Sequence, residues 1–262
     1  MIDDIVTANR ERWNAMASAN VMFSRPFFNF TREEAAAYVH CDTVLGDVAG
    51  KDVLCLASGG GQDSAAFGLL GANVTVFDLS DVQLSRDQEA ARHHDYTVQT
   101  VQGDMRDLSI FTANTFDIVW QPYSINYSPT VEPVIAEVAR VLKPGGIYHL
   151  TLANPFALAI DNSWDGNGYP LRDLYRDGED ITRFFPAWEL EQEDGTVIAV
   201  EHPHEFRHTL STLFNALARH GFLFLQMAEW MRADIDLEQG SWAHFTQCCP
   251  PYLQTFWRLG AM

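Results

Sequence analysis

The residues with the clearest chemical potential begin at Ala57-Ser58-Gly59-Gly60-Gly61, a turn that closes a short apolar run and opens a helical one. Glycines let a backbone come close to a bound nucleotide, and a helix start offers free amides. Nineteen residues past Gly59, Asp78 ends a second apolar run. An acid at that point can accept hydrogen bonds from both hydroxyls of a ribose. A glycine-rich turn alone is weak; the turn and the acid in this order form a more specific pair.

Two cofactor classes share that layout. A dinucleotide fingerprint wants Gly-x-Gly-x-x-Gly, and the third position here is Ser64. Asp63 stands at the helix start, where a pyrophosphate would meet like charge. S-adenosylmethionine carries a sulfonium and an ammonium in place of phosphates, and an acidic site tolerates both. The physics favours the methyl donor. The alternatives are a nicotinamide-dependent oxidoreductase and a non-catalytic S-adenosylmethionine-binding protein.

Other segments carry weaker signals. His202, His204 and His208 lie close together in His-Pro-His-Glu-Phe-Arg-His. A zinc site would need a fourth ligand and an element that converges them, so no metal is expected. His208 stands directly before a helix and is the candidate proton acceptor or acceptor-orienting group. Asp161-Asn162-Ser163-Trp164-Asp165-Gly166 starts like a calcium loop, but its twelfth position is Arg172 where a bidentate Glu is required. His93 and His94 read as surface residues of a polar helix. None of Cys41, Cys55, Cys248 and Cys249 forms a CxxC pair, so reduced thiols in a cytoplasmic protein are expected.

The elements that must position these groups alternate. Residues 3–20 and 31–49 read as helices, the second opened by a Thr31/Glu34 capping box; both are expected to cap a sheet. Strands follow at 53–56, 74–78, 97–102, 116–120 and 147–152, with helices after 61, at 81–94 and at 131–142, the last stopped by Pro144-Gly145-Gly146. Repeated strand, helix, strand means parallel strands with crossover helices. Residues 154–205 break the rhythm and hold Phe156, Trp164, Tyr169, Tyr175, Phe184, Phe185 and Trp188, as a lid or binding loop would. A helix at 209–220 and strands at 222–230 and near 253–259 resume the pattern. The expected organisation is one domain: cap helices in 1–50, a cofactor-binding core in 51–153, a lid in 154–205 and the rest of the sheet in 206–262.

Across the 262 residues the net charge is −18, from 17 basic and 35 acidic residues. Neutralising nucleic-acid phosphates needs lysines and arginines that this chain lacks, so a nucleic-acid partner is not expected. No window is apolar enough to span a membrane, and Met1-Ile2-Asp3-Asp4 is unlike a secretory signal.

Over residues 50–152 the chain resembles the class I S-adenosylmethionine-dependent methyltransferases. Val53-Leu54-Cys55-Leu56-Ala57-Ser58-Gly59-Gly60-Gly61 is similar to the family's first motif, Asp78-Leu79-Ser80 to the second, and Gly103-Asp104-Met105 to the loop after strand three. Phe116-Asp117-Ile118-Val119-Trp120-Gln121 resembles the fourth motif, and Val141-Leu142-Lys143-Pro144-Gly145-Gly146 the turn before strand five. The resemblance implies a Rossmann-like three-layer α/β sandwich. Its seven-stranded, mostly parallel sheet would end in an antiparallel strand. It implies that Ala57, Ser58, Gly59 and Gly61 hold the methionine part, Asp78 the ribose, Leu79 and Met105 the adenine faces and Asp104 the adenine amino group. Gln121 and Tyr123 would lie near the sulfonium, and the methyl acceptor would be a small molecule. Two departures stand out: Cys55 replaces the usual early acid, and Ala57 the usual first glycine. Asp63 is a candidate to take over the ammonium contact. Trp120-Gln121-Pro122-Tyr123 lacks the leading Asp or Asn and the first Pro of the base-methylating amino-group enzymes.

Overall fold

The computed structural model describes residues 2–184, 186–191, 196–231 and 237–260. Helix α1 (Ile2–Ser18) comes first, and α2 (Arg32–Tyr38) follows behind the expected capping box. The Glu34 carboxylate accepts from the Thr31 amide at 2.8 Å, and the Thr31 hydroxyl accepts from the Glu34 amide at 3.1 Å. The second helix stops well short of residue 49. His40 and Gly46 take positive φ (59° and 64°), which breaks the helical ladder and leaves an isolated π-turn over Cys41–Leu45.

Strand β1 (Asp52–Leu56) leads through α3 (Asp63–Leu69) to β2 (Asn73–Asp78), then through α4 (Asp81–His94) to β3 (Val98–Gln102). Strand β4 (Phe116–Gln121), α5 (Glu132–Val141) and β5 (Leu142–Ala153) complete the parallel core. Side chains alternate along each strand, so neighbours on β1 serve opposite faces. Leu54 and Leu56 join a buried cluster with α5 residues Val134, Ile135 and Val138, while Val53 and Cys55 join one with Ala66, Phe67 and Leu84. Cys55 is thus a small core residue. Pro144-Gly145-Gly146 does not end before the fifth strand but lies inside it: β5 already pairs with β4 at Leu142, and the register slips beside the glycines, where Gly145 has φ +81°.

Beyond β5 come the short β6 (Glu179–Asp180) and a hairpin of β7 (Ala187–Glu191) with β8 (Val197–Glu201); β9 (Phe206–Arg207) then pairs antiparallel with β6. Helix α6 (Leu210–Arg219) is capped by Thr209, and β10 (Phe222–Glu229) follows. Helix α7 (Trp242–Cys248), absent from the sequence reading, precedes β11 (Tyr252–Leu259). The sheet order is β10-β11-β5-β4-β1-β2-β3, with β11 antiparallel to both neighbours. This is the expected seven-stranded, Rossmann-like arrangement. Among the described residues no helix is long and apolar enough to cross a membrane.

Candidate active site

The loops leaving β1, β2, β3 and β4 meet in a cavity of about 1020 Å³. Its floor contains Ala57, Ser58, Gly59, Asp63, Asp78, Leu79, Asp104 and Met105. The remaining two expected cofactor residues do not line it. Gly61 packs below, where a Cβ would come within 2.8 Å of the Arg86 carbonyl. Gln121 is fully buried, accepts from the Tyr148 hydroxyl at 2.5 Å and donates to the Met105 sulfur at 3.2 Å. It supports Met105 from behind because its side chain falls on the inner face of β4.

The glycine loop is tied to carboxylates, not left open. Gly59 donates its amide to Asp78 Oδ2 at 2.8 Å; Gly60 and Gly61 donate to the two oxygens of Asp87 at 3.0 and 3.1 Å. Ser64 adds a hydroxyl to Asp87 at 2.5 Å. Burial pushes the Asp87 carboxyl up to about 8 even against these donors. Ala57 holds φ +47°, a left-handed conformation that glycine adopts without a Cβ penalty. With those three amides spent inside the protein, the loop has little left for a pyrophosphate. This favours a cofactor without phosphates over a dinucleotide.

The donor set on the floor fits a cation bearing a diol. Asp78 lends one oxygen to Gly59 and the other to the Ser80 amide at 2.8 Å, and each keeps accepting capacity. Asp63 accepts from Trp120 Nε1 at 2.8 Å and from the Tyr38 hydroxyl at 3.0 Å, and burial pushes its carboxyl up to about 6. Asp104 is gripped by Arg106, whose Nε reaches both carboxylate oxygens at 2.9–3.0 Å. No lysine occurs among the described lining residues.

The roof is aromatic. Trp13 of α1 meets Tyr127 edge-on at 5.2 Å, and Phe23 meets Trp188 of β7 at 4.3 Å. Of the aromatics expected from the lid, Trp188 lines the cavity; Phe156 and Tyr175 stack on each other outside it, Trp164 and Tyr169 pack on α7, and Phe184 is exposed. Phe185 lies outside the described residues. Asn9 of α1 holds the roof down, donating to the carbonyls of Tyr127 (3.3 Å) and His204 (3.1 Å) and accepting from the His204 amide at 2.6 Å.

Tyr123 and Glu205 face the cavity together. Tyr123 sits at φ +55°, which turns its ring inward, and its hydroxyl donates to Glu205 Oε1. Burial pushes the Glu205 carboxyl up to about 7, against the pull of that hydrogen bond. The three histidines do not converge. His202 lines the cavity beside Glu205; His204 Nδ1 meets Asp180 at 2.8 Å. His208 is buried against the Ser128 carbonyl at 2.8 Å and is not a lining residue. The expectation that His208 faces the acceptor is therefore corrected. Its side chain follows β9 into the protein, while Glu205, three residues earlier, points into the cavity. His93 is exposed as expected, although both His93 and His94 reach carbonyls of the Phe27–Phe28 segment.

Sequence reasoning missed three residues. Asp87 lies on the buried stripe of α4 with Gln83, Leu84, Ala90 and Ala91, and an acid on such a stripe is itself a signal of a buried partner. Glu205 stood inside the histidine segment, overshadowed by it. Arg207 is fully buried and binds Asp173 at 2.7 Å, Glu179 at 3.4 Å and the Leu158 carbonyl at 3.1 Å; nothing local announces it.

Comparison with known proteins agrees with this geometry. Residues 54–150 match the methyltransferase domain family. The chain is 40% identical over 121 residues to the uncharacterized methyltransferase YbaJ of Bacillus subtilis, covering 46% of this chain and 48% of that one. It is 36% identical over 122 residues to a ubiquinone biosynthesis O-methyltransferase of Xanthomonas oryzae pv. oryzae, covering 44% and 49%. The matched segment thus spans about half the length of these relatives. In fold, the chain is similar to an S-adenosylmethionine-dependent methyltransferase from Mesorhizobium loti, with TM-score 0.62 at 21% identity, over 88% of this chain and 100% of that one. The fold is the Rossmann-like α/β sandwich. Residues 54–150 are similar to the methyltransferase domain family, and the chain as a whole shares the fold of S-adenosylmethionine-dependent methyltransferases.

Proposed function

We propose that this protein transfers a methyl group from S-adenosylmethionine to a small, partly apolar acceptor. The observation that carries the reading is the single cavity in which acid-lined floor and aromatic roof face each other. Asp78 would take the ribose hydroxyls, Leu79 and Met105 the two faces of the adenine, Asp104 its amino group and Asp63 the ammonium. When bound, the donor supplies a methyl carbon already activated by its sulfonium. The chain's own task is then alignment and exclusion of water, which α1 and the β7–β8 hairpin are placed to perform.

The small-acceptor reading is supported by the aromatic roof and by the net charge of −18, which disfavours a nucleic-acid acceptor. Among the relatives, one named for ubiquinone biosynthesis O-methylation and a Caenorhabditis elegans sterol 4-C-methyltransferase both take small acceptors by their names. The free thiols of the four cysteines fit a cytoplasmic setting. Calorimetry with S-adenosylmethionine and, separately, a nicotinamide dinucleotide tests the first half of this reading: the former is expected to bind and the latter not. Transfer of labelled methyl groups to a library of small acceptors tests the second half. Donor binding without any product would reduce the protein to a sensor of the donor.

A further inference from the structure

The Glu205 carboxylate lines the cavity with one oxygen held by Tyr123 and the other open to it. Oε1 accepts from the Tyr123 hydroxyl. Oε2 faces His202 Nε2 at 3.8 Å, beyond hydrogen-bond reach. The His202 ring settles what that nitrogen is. Its Nδ1 lies 2.8 Å from the Pro203 carbonyl, an acceptor, so Nδ1 carries the proton and Nε2 presents a lone pair. Burial also holds the imidazole below its ordinary value, in the neutral form. Among the described residues no donor reaches Oε2, although the residue is only 4% exposed. Oε2 is open to the cavity that Glu205 lines, where a ligand's hydroxyl can donate to it.

The remaining groups around Glu205 do not supply that donor. Tyr127 and Tyr252 lie on either side of Tyr123, with ring centroids 6.0 and 5.3 Å away. Asp180 of β6 adds negative charge that, with burial, keeps the Glu205 carboxyl high; its own partner is His204. The walls beside Oε2 are flat rings: Tyr123, Tyr127, Trp188 and His202. Such walls fit a planar, aromatic ligand.

We propose that Glu205 is the proton acceptor for a phenol-type hydroxyl, which makes the substrate a neutral aryl or enol oxygen acid and the reaction an O-methylation. This rests on the methyl-transfer reading above. The hydroxyl donates to Oε2 and loses its proton to it as an oxygen lone pair forms the bond to the methyl carbon. The carbon–sulfur bond breaks, its electron pair stays on sulfur, and the sulfonium becomes a neutral thioether. Glu205 then returns the proton to solvent. An ammonium acceptor fits less well because it would be held beside a sulfonium of like charge in a poorly solvated cavity. Tyr123 is a positioning residue: its hydrogen bond fixes the carboxylate and lowers its proton affinity.

The test uses 4-nitrocatechol, whose ionisation is visible in its absorbance, at a pH below its own transition. The wild-type protein with donor product bound is expected to bind it in the ionised form. Glu205→Gln is expected to bind it un-ionised, with donor affinity in calorimetry changed less than threefold. Turnover of unactivated phenols by Glu205→Gln should fall a hundredfold or more, the usual worth of a general base. Turnover of nitrophenols that are already ionised should fall less than fivefold. Tyr123→Phe should move the rising limb of the pH profile to higher pH, because the hydrogen bond that lowers the Glu205 proton affinity is lost. Three results would overturn the proposal: a probe that stays neutral on, or does not bind to, the wild-type protein; equal losses on ionised and un-ionised acceptors; or preferential methylation of amines. Failure of the wild-type protein to bind the donor would instead sink the methyl-transfer reading itself.

Discussion

On the floor of the cavity, Gly59 reaches its carboxylate partner across 19 residues, and Gly60 and Gly61 reach theirs across 27 and 26. Over the roof, Asn9 reaches Tyr127 and His204 across 118 and 195 residues. The floor is the contiguous β1–α3–β2–α4–β3 segment closing on itself, so its geometry follows from neighbouring segments. The roof is assembled from the first helix, the loop after β4 and the segment before β9, which meet only once the whole sheet exists. The glycine loop is satisfied by the protein alone, with its amides spent on Asp78 and Asp87. The roof turns the Glu205 carboxylate to the cavity, with Oε2 3.8 Å from His202 Nε2. The floor is thus held together without a ligand, while the roof keeps a carboxylate turned to the cavity.

The comparison is open to breaking at several points. The largest effect should come from Arg207→Leu, which removes the buried cation from Asp173 and Glu179 and leaves them only the exposed Arg183. Removing one partner of such a group costs about 3–5 kcal/mol. Urea unfolding should show that loss. Hydrogen exchange should rise over 158–181 far more than over 52–105; an equal rise in both would mean that floor and roof are one cooperative unit.

Asp78→Ala attacks the floor. Donor and donor-product affinity in calorimetry should weaken by about 1.5–3 kcal/mol, the loss of a charge-assisted hydrogen bond, with exchange over the roof unchanged. Undiminished affinity in a folded variant would remove Asp78 from the ribose.

Glu205 links the roof to pH. Its folded-state proton affinity is raised from the ordinary 4.5 to about 7, so the folded chain holds the proton more tightly than the unfolded chain. Its contribution to stability is full below 4.5 and is lost as pH rises through about 7. Melting curves should show Glu205→Gln gaining about 3 kcal/mol on wild type at pH 8 and nothing at pH 4. A difference independent of pH would contradict the burial of an ionising carboxyl there.

The smallest effect belongs to Ala57. Its φ of +47° strains any residue with a Cβ, and Ala57→Gly should relieve about 1 kcal/mol, offset in part by the freer unfolded chain. A net gain of about 0.5 kcal/mol in chemical denaturation is expected. A loss would show that the alanine methyl is packed rather than strained.

Much of the floor was legible before folding because its signals are local. The apolar run into Ala57-Ser58-Gly59-Gly60-Gly61, the acid at Asp78 and the Gly103-Asp104-Met105 turn each occupy a strand end. Parallel strands joined by crossover helices put their carboxyl ends on one edge. Even there, which side a residue faces was decided elsewhere: Gln121 ends β4 as expected, yet its side chain joins Tyr148 in the core. The sequence by itself thus determined the sheet, the order of its loops and the acid-lined edge. Only the tertiary structure decided that Glu205, not His208, reaches the cavity, and that buried Arg207 ties β9 to residues 158–179. Those choices depend on where β9 enters beside β6 and on α1 folding over residues nearly two hundred positions away. Contacts at such separation leave no periodic mark in the chain, because the residues that make them are chosen by each other's positions rather than by their neighbours in sequence.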